Sequence, residues 1–142
     1  MESRVSLITL GVADLARSCR FYQDGLGFPT TRKPENGIVF FQTSGVAIAL
    51  FPYTELAEDV GPGWDVPRSK FTGITLAHNV RERRQVDEVL AQAAAAGAEV
   101  VKPAVATSWG GYSGYFTDPD GYLWEVAWGA FDFNADGSLH VT

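Results

Sequence analysis

The stretch Asp118-Pro119-Asp120-Gly121-Tyr122-Leu123-Trp124-Glu125-Val126 joins a tight turn to an apolar run that carries a single acid. Proline fixes φ and Asp-Gly supplies the turn. Beyond it, Tyr122, Leu123, Trp124, Val126, Ala127 and Trp128 suit a buried strand. Glu125 does not, unless it faces a cavity, a cation or a hydrogen-bond donor. The reading is therefore a turn followed by a sheet strand in which Glu125 is the residue that needs a reason.

Working outward, the chain repeats its own design, because Ile8-Thr9-Leu10 recurs as Ile74-Thr75-Leu76 and a helical pattern follows each. In the first copy a strand over 5–12 leads to Asp14, an N-cap residue, and Leu15, Cys19 and Tyr22 then share one face at i, i+4, i+7. Leu26-Gly27 stops this helix. Extended runs are expected at 28–33, 38–43 and 46–51, separated by turn-forming residues. In the second copy a strand over 72–77 precedes a helix over 82–96 with Val86, Leu90 and Ala93 on its apolar face and Gly97 as its stop. Strands at 99–102, 112–117 and 122–128 complete it.

The fold class is thus α+β, built of two β-α-β-β-β modules, about 5–52 and about 71–128, within a single domain 1–142. The stretch 53–70, rich in Gly, Pro and acid, reads as a linker or a loop over a site. Residues 129–142 read as a polar tail that Phe131 and Phe133 can pin to the core.

Composition narrows the function classes. With 142 residues, 46% apolar and 20% charged, the chain has material for a proper core. A formal net charge of −6 argues against nucleic acid or anionic membrane as partner, since such binding rests on concentrated Lys and Arg. The single Cys19 excludes an internal disulfide, and no apolar run approaches the roughly 20 residues of a membrane span. With no charged-then-apolar leader at the start, the expected location is cytoplasmic.

Gly11-Val12-Ala13-Asp14-Leu15, Ser18, Phe21-Tyr22-Gln23-Asp24-Gly25-Leu26-Gly27-Phe28, and later Asp118-Pro119-Asp120-Gly121 with Glu125, together resemble the vicinal oxygen chelate superfamily of glyoxalase I, bleomycin-resistance proteins, fosfomycin-resistance enzymes and extradiol dioxygenases. The resemblance covers about residues 5–128. It implies a glyoxalase-like fold, two modules whose mixed sheet curls around a cleft, usually completed in a homodimer. It also implies that metal-dependent members take ligands from the first and last strand of each module. The matching positions here are Leu7, Ala49, Gly73 and Glu125, and three of these have no side chain that binds a metal. A divalent ion needs several oxygen or nitrogen donors. No metal and no cofactor are therefore expected. His78, by strand alternation, points away from Gly73, Thr75 and Ala77.

On that frame Leu7, Thr9, Ala47, Ala49, Phe51, Gly73, Thr75, Leu123 and Glu125 line the concave face, while Trp124 and Val126 pack against a helix. A concave apolar surface with few polar anchors suits a small organic ligand. Trp109-Gly110-Gly111-Tyr112 adds two aromatic faces, which either hold ligand or plug a sheet edge. Glu125 reads as a ligand anchor or ancestral remnant, or else as a general acid or base. Cys19 reads as a packed small hydrophobe, and neither a dinucleotide nor a phosphate-binding glycine loop is present. The expected function is binding of a small, apolar or aromatic molecule without a metal. The alternatives are a lyase, isomerase or dioxygenase of the superfamily using Glu125, and an interaction module with a vestigial cleft.

Overall fold

The computed structural model describes residues 1–141. The chain forms two compact units, residues 1–69 and 70–142.

In the first unit the strands are β1 (Leu7–Val12), β2 (Val39–Phe41) and β3 (Ala47–Pro52), in the order β1-β3-β2. β1 runs parallel to β3 and β2 antiparallel to it. Between β1 and β2 lie helix α1 (Leu15–Arg20) and a π-helical turn (Phe21–Gly25). Asp14 caps α1 as expected: its Oδ1 accepts the Arg17 backbone N–H at 3.0 Å, which helps hold the carboxyl below its ordinary pKa. Gly27, at φ 78°, ends the helical segment.

Register divides the faces of this sheet. Ile8, Ile48 and Phe41 form one row, and Leu10, Leu50 and Val39 the next, both on the core side with Cys19 and Tyr22. Thr9, Ala49 and Phe40 form a row on the opposite face, where Gly11 and Phe51 are also neighbours. Gly11 is needed there, since a Cβ would lie 2.9 Å from the Tyr53 ring.

The second unit contains β4 (Leu76–Val80), α3 (Arg84–Ala95), β5 (Glu99–Ala106), β6 (Tyr112–Thr117) and β7 (Leu123–Trp128), with sheet order β4-β7-β6-β5. β4 and β7 are parallel, and the other pairs antiparallel. Val86, Leu90 and Ala93 are buried, as their spacing predicts, and α3 packs over β5, β6 and β7. Phe116 and Trp124 stack beneath it with ring centroids 6.1 Å apart. Gly114 lets this helix approach, because a Cβ there would meet Leu90 Cδ1 at 2.7 Å.

The turn into β7 is held by its first acid. Asp118 Oδ1 accepts the backbone N–H groups of Asp120 and Tyr122, each at 2.9 Å, and Gly121 takes φ 84°. Among the described residues the mixed sheet is thus divided into a three-stranded and a four-stranded sheet, with a small hairpin of β8 (Asp132–Phe133) and β9 (Leu139–His140).

Three local expectations are corrected. The run 28–33 is not a strand: Pro29 has no N–H to give a ladder, and its carbonyl accepts the N–H of Gln42, just beyond β2, at 3.2 Å. The stretch read as a linker contains helix α2 (Tyr53–Val60), whose Glu, Leu and Ala are good helix formers between Pro52 and Gly61. The strand expected over 72–77 begins only at Leu76, because Gly73 at φ 82° breaks the extended run. The two tail aromatics meet exposed partners and not the core: the Phe131 ring centroid lies 6.0 Å from that of Trp109, and the Arg81 guanidinium sits 4.3 Å above Phe133.

Candidate functional site

Parallel pairing in each unit gives an alignment of the two halves. Ala49 on β3 is the partner of Thr9 on β1, and Glu125 on β7 is the partner of Ala77 on β4. With Ala49 and Glu125 taken as counterparts, as the family resemblance implies, Thr9 and Ala77 are equivalent and Leu7 corresponds to Thr75 rather than to Gly73. The tripeptide repeat Ile-Thr-Leu misleads by two residues, because in the second unit it precedes the strand instead of lying in it. Gly73 and Thr75 are both exposed and outside β4, so neither is held by a ladder.

Leu7 and Thr9 stand on β1, at 40% and intermediate exposure, and Ala49 and Phe51 on β3, where Ala49 is fully buried. The register places these four on the face opposite the α1 core. In the second unit Leu123 and Glu125 share the face opposite α3, both half-buried, while Trp124 and Val126 are buried on the helix side. His78 pairs with Val126 and so lies on the face opposite Glu125.

The two aromatic candidates separate. Tyr112 belongs to the helix side: its hydroxyl meets the Asp87 carboxylate of α3 at 3.1 and 3.2 Å, and the Arg83 guanidinium lies 3.8 Å over its ring. It does not share the Glu125 face. Trp109 remains 54% exposed on the loop between β5 and β6. Its indole lies against Gly111 and Gly129, where an added Cβ would fall 1.9 Å and 2.6 Å from the ring. Gly111 and Gly129 thus form the floor for Trp109, while Gly110, at φ 88°, turns the chain beside it.

Tyr115 is the residue that sequence reading missed. It is the β6 partner of Glu125, and burial first, then the Glu125 charge and a side-chain hydrogen bond to Glu125, push its phenol above the ordinary pKa. Period two separates Tyr115 from Tyr112, but only the pairing of β6 with β7 brings it to Glu125. A phenol that holds its proton more tightly when folded contributes stability that is present below about pH 10 and lost as pH rises through the raised value. In a spectrophotometric titration Glu125→Gln is expected to lower the Tyr115 midpoint; an unchanged midpoint would dissociate the pair.

The donor set does not fit a resident metal of the superfamily type. Equivalent positions now read Leu7, Ala49, Thr75 and Glu125, one carboxylate and one neutral hydroxyl, and a second copy of the chain would repeat the same side chains. Among the described residues no three His, Cys, Asp or Glu side chains gather where they could hold an ion.

The family model of the Glyoxalase/Bleomycin resistance protein/Dioxygenase superfamily matches residues 4–126, and the chain belongs to this superfamily. It is similar to the solved structure of a glyoxalase-related enzyme from Fulvimarina pelagi, with 37% identity, TM-score 0.86 and 99% of each chain covered. A lactoylglutathione lyase from Agrobacterium tumefaciens is 25% identical, TM-score 0.67, with 91% of this chain and 96% of that one covered. A glyoxalase/bleomycin resistance protein/dioxygenase family enzyme from Burkholderia phytofirmans PsJN shares the fold at 19% identity and TM-score 0.77, over 89% of this chain and 98% of that one. No curated protein matches the sequence significantly. No helix among the described residues is long and apolar enough to cross a membrane.

Proposed function

We propose that this protein binds a small, largely apolar or aromatic organic molecule without a metal, and that the candidate contacts are, taken unit by unit, Leu7, Thr9, Ala49 and Phe51 on the first sheet and Leu123 and Glu125 on the second. The observation that carries the reading is the apolar side chain at two of the positions that match metal ligands, Leu7 and Ala49, with a neutral hydroxyl at Thr75 and Glu125 as the one carboxylate. A carboxylate beside apolar side chains such as Leu123 and Ala127 anchors a donor group of a ligand, while those neighbours take its body. Trp109 supplies an exposed aromatic face and belongs to the same proposal, as do Gly73 and Thr75 as loop contacts; Tyr112, engaged with α3, drops out of the ligand set. The reading includes a cytoplasmic homodimer, to be checked by light scattering.

A second reading is favoured by the 37% identical relative from Fulvimarina pelagi, which is described as an enzyme. Here Glu125 is a general base or acid of a lyase, isomerase or dioxygenase reaction, with Tyr115 as its hydrogen-bonded neighbour.

Elemental analysis of protein grown in metal-supplemented medium separates the two from a metalloenzyme. The expected result is no stoichiometric divalent ion, together with saturable quenching of Trp fluorescence by aromatic compounds that emerge unchanged. About one ion per chain, lost in Glu125→Gln, would overturn the metal-free reading. Turnover of a quenching compound would replace binding by catalysis.

A further inference from the structure

The edge strand β5 does not follow its neighbour residue for residue. Val100 pairs with Phe116 and Lys102 with Tyr115, so two steps on β5 match one on β6, and a second shift follows before Val105 pairs with Ser113. In an unbroken ladder Lys102 would oppose Gly114 on the α3 side. The first bulge turns it instead to the face of Tyr115 and Glu125. Its ammonium Nζ accordingly lies 5.8 Å from the centre of the Tyr115 ring.

One row thus crosses the sheet from edge to edge: Lys102 on β5, Tyr115 on β6, Glu125 on β7 and Ala77 on β4. It presents a cation, a phenol and a carboxylate in sequence, and ends on a methyl group. Lys102 is exposed at the edge, whereas Tyr115 and Glu125 are half-buried among Thr117, Leu123 and Ala127. The charged residues stand two strands apart, roughly 10 Å at the backbone, with the Tyr115 ring between them, its hydroxyl hydrogen-bonded to Glu125 and the Lys102 ammonium over its face. A molecule with opposite charges at the ends of a ring fits that order of groups, its ring taking the place of the ammonium over Tyr115.

We propose that Lys102, Tyr115 and Glu125 form a polar anchor for an aromatic zwitterion, whose cationic group is accepted by Glu125, whose anionic group is met by Lys102, and whose ring lies on Tyr115. The proposal rests on the small-molecule binding reading above and names its ligand class.

Four probes of one body size test it by calorimetric or NMR titration of the intact protein: 4-(aminomethyl)benzoate, benzylammonium, benzoate and toluene. The zwitterion is expected to bind about tenfold more tightly than either singly charged probe. Lys102→Met should remove that advantage without weakening benzylammonium, whose repulsion by the ammonium it relieves, whereas Glu125→Gln should weaken both. If toluene or a singly charged probe binds as tightly as the zwitterion, the anchor is overturned and the apolar binding reading stands. Failure of all four probes to bind would overturn both. The comparison among probes on the unaltered protein needs no variant to fold.

Discussion

Asp118→Ala is expected to lose about 2–4 kcal/mol of unfolding free energy, because two backbone N–H groups lose a charged acceptor. The carboxylate is 4% exposed, and its Oδ1 takes the Asp120 and Tyr122 N–H groups at 2.9 Å each. Water reaches so buried a site poorly, so the donors would stay unsatisfied. Asp118→Asn keeps an oxygen at the same place and should recover about half of the loss. Urea denaturation with an unchanged slope reads the difference directly. The effect should extend to function, since this turn sets the β6–β7 register that pairs Tyr115 with Glu125. A loss of about 0.5 kcal/mol or less, the size of an ordinary surface change, would show that the turn holds itself without its acid.

Tyr22→Ala should cost still more, about 3–5 kcal/mol, as truncation of a buried aromatic ring leaves a cavity. Tyr22 is fully buried, with ring centroids of Phe21, Phe28 and Phe41 at 5.1, 5.7 and 5.8 Å. These aromatics join the π-helical turn to β2 and to the irregular segment after Gly27. Since a domain's total stability is about 5–15 kcal/mol, the variant should melt far below the parent in a thermal scan. Tyr22→Phe keeps the ring and should retain most of the stability. Equal losses in the two variants would assign the stabilisation to the hydroxyl instead of to packing.

The elements that were legible in the sequence are those whose causes are local. The Asp14 cap, the Gly27 and Gly97 stops, the Asp118–Gly121 turn and the buried stripe of Val86, Leu90 and Ala93 depend on residues within a turn or two of one another. Alternation along β7 also held, with Trp124 and Val126 on the helix side and Glu125 on the other. The short helix α2 escaped because only Glu55, Leu56, Ala57 and Glu58 of its eight residues are strong helix formers, and Gly and Pro on either side dominated the composition of the segment. The expected strand at 28–33 failed because β-forming residues cannot replace the N–H that Pro29 lacks.

The linear order of residues was sufficient to assign the superfamily and to identify Glu125 as the acid in need of a partner, since these follow from residue identity alone. Pairing between strands was required for the rest. A one-residue change of register reverses which face a side chain occupies, and no local signal reports it. Register therefore moved the counterpart of Leu7 from Gly73 to Thr75, sent Tyr112 to Asp87 on α3, and, through a bulge in β5, put Lys102 and Tyr115 in one row with Glu125.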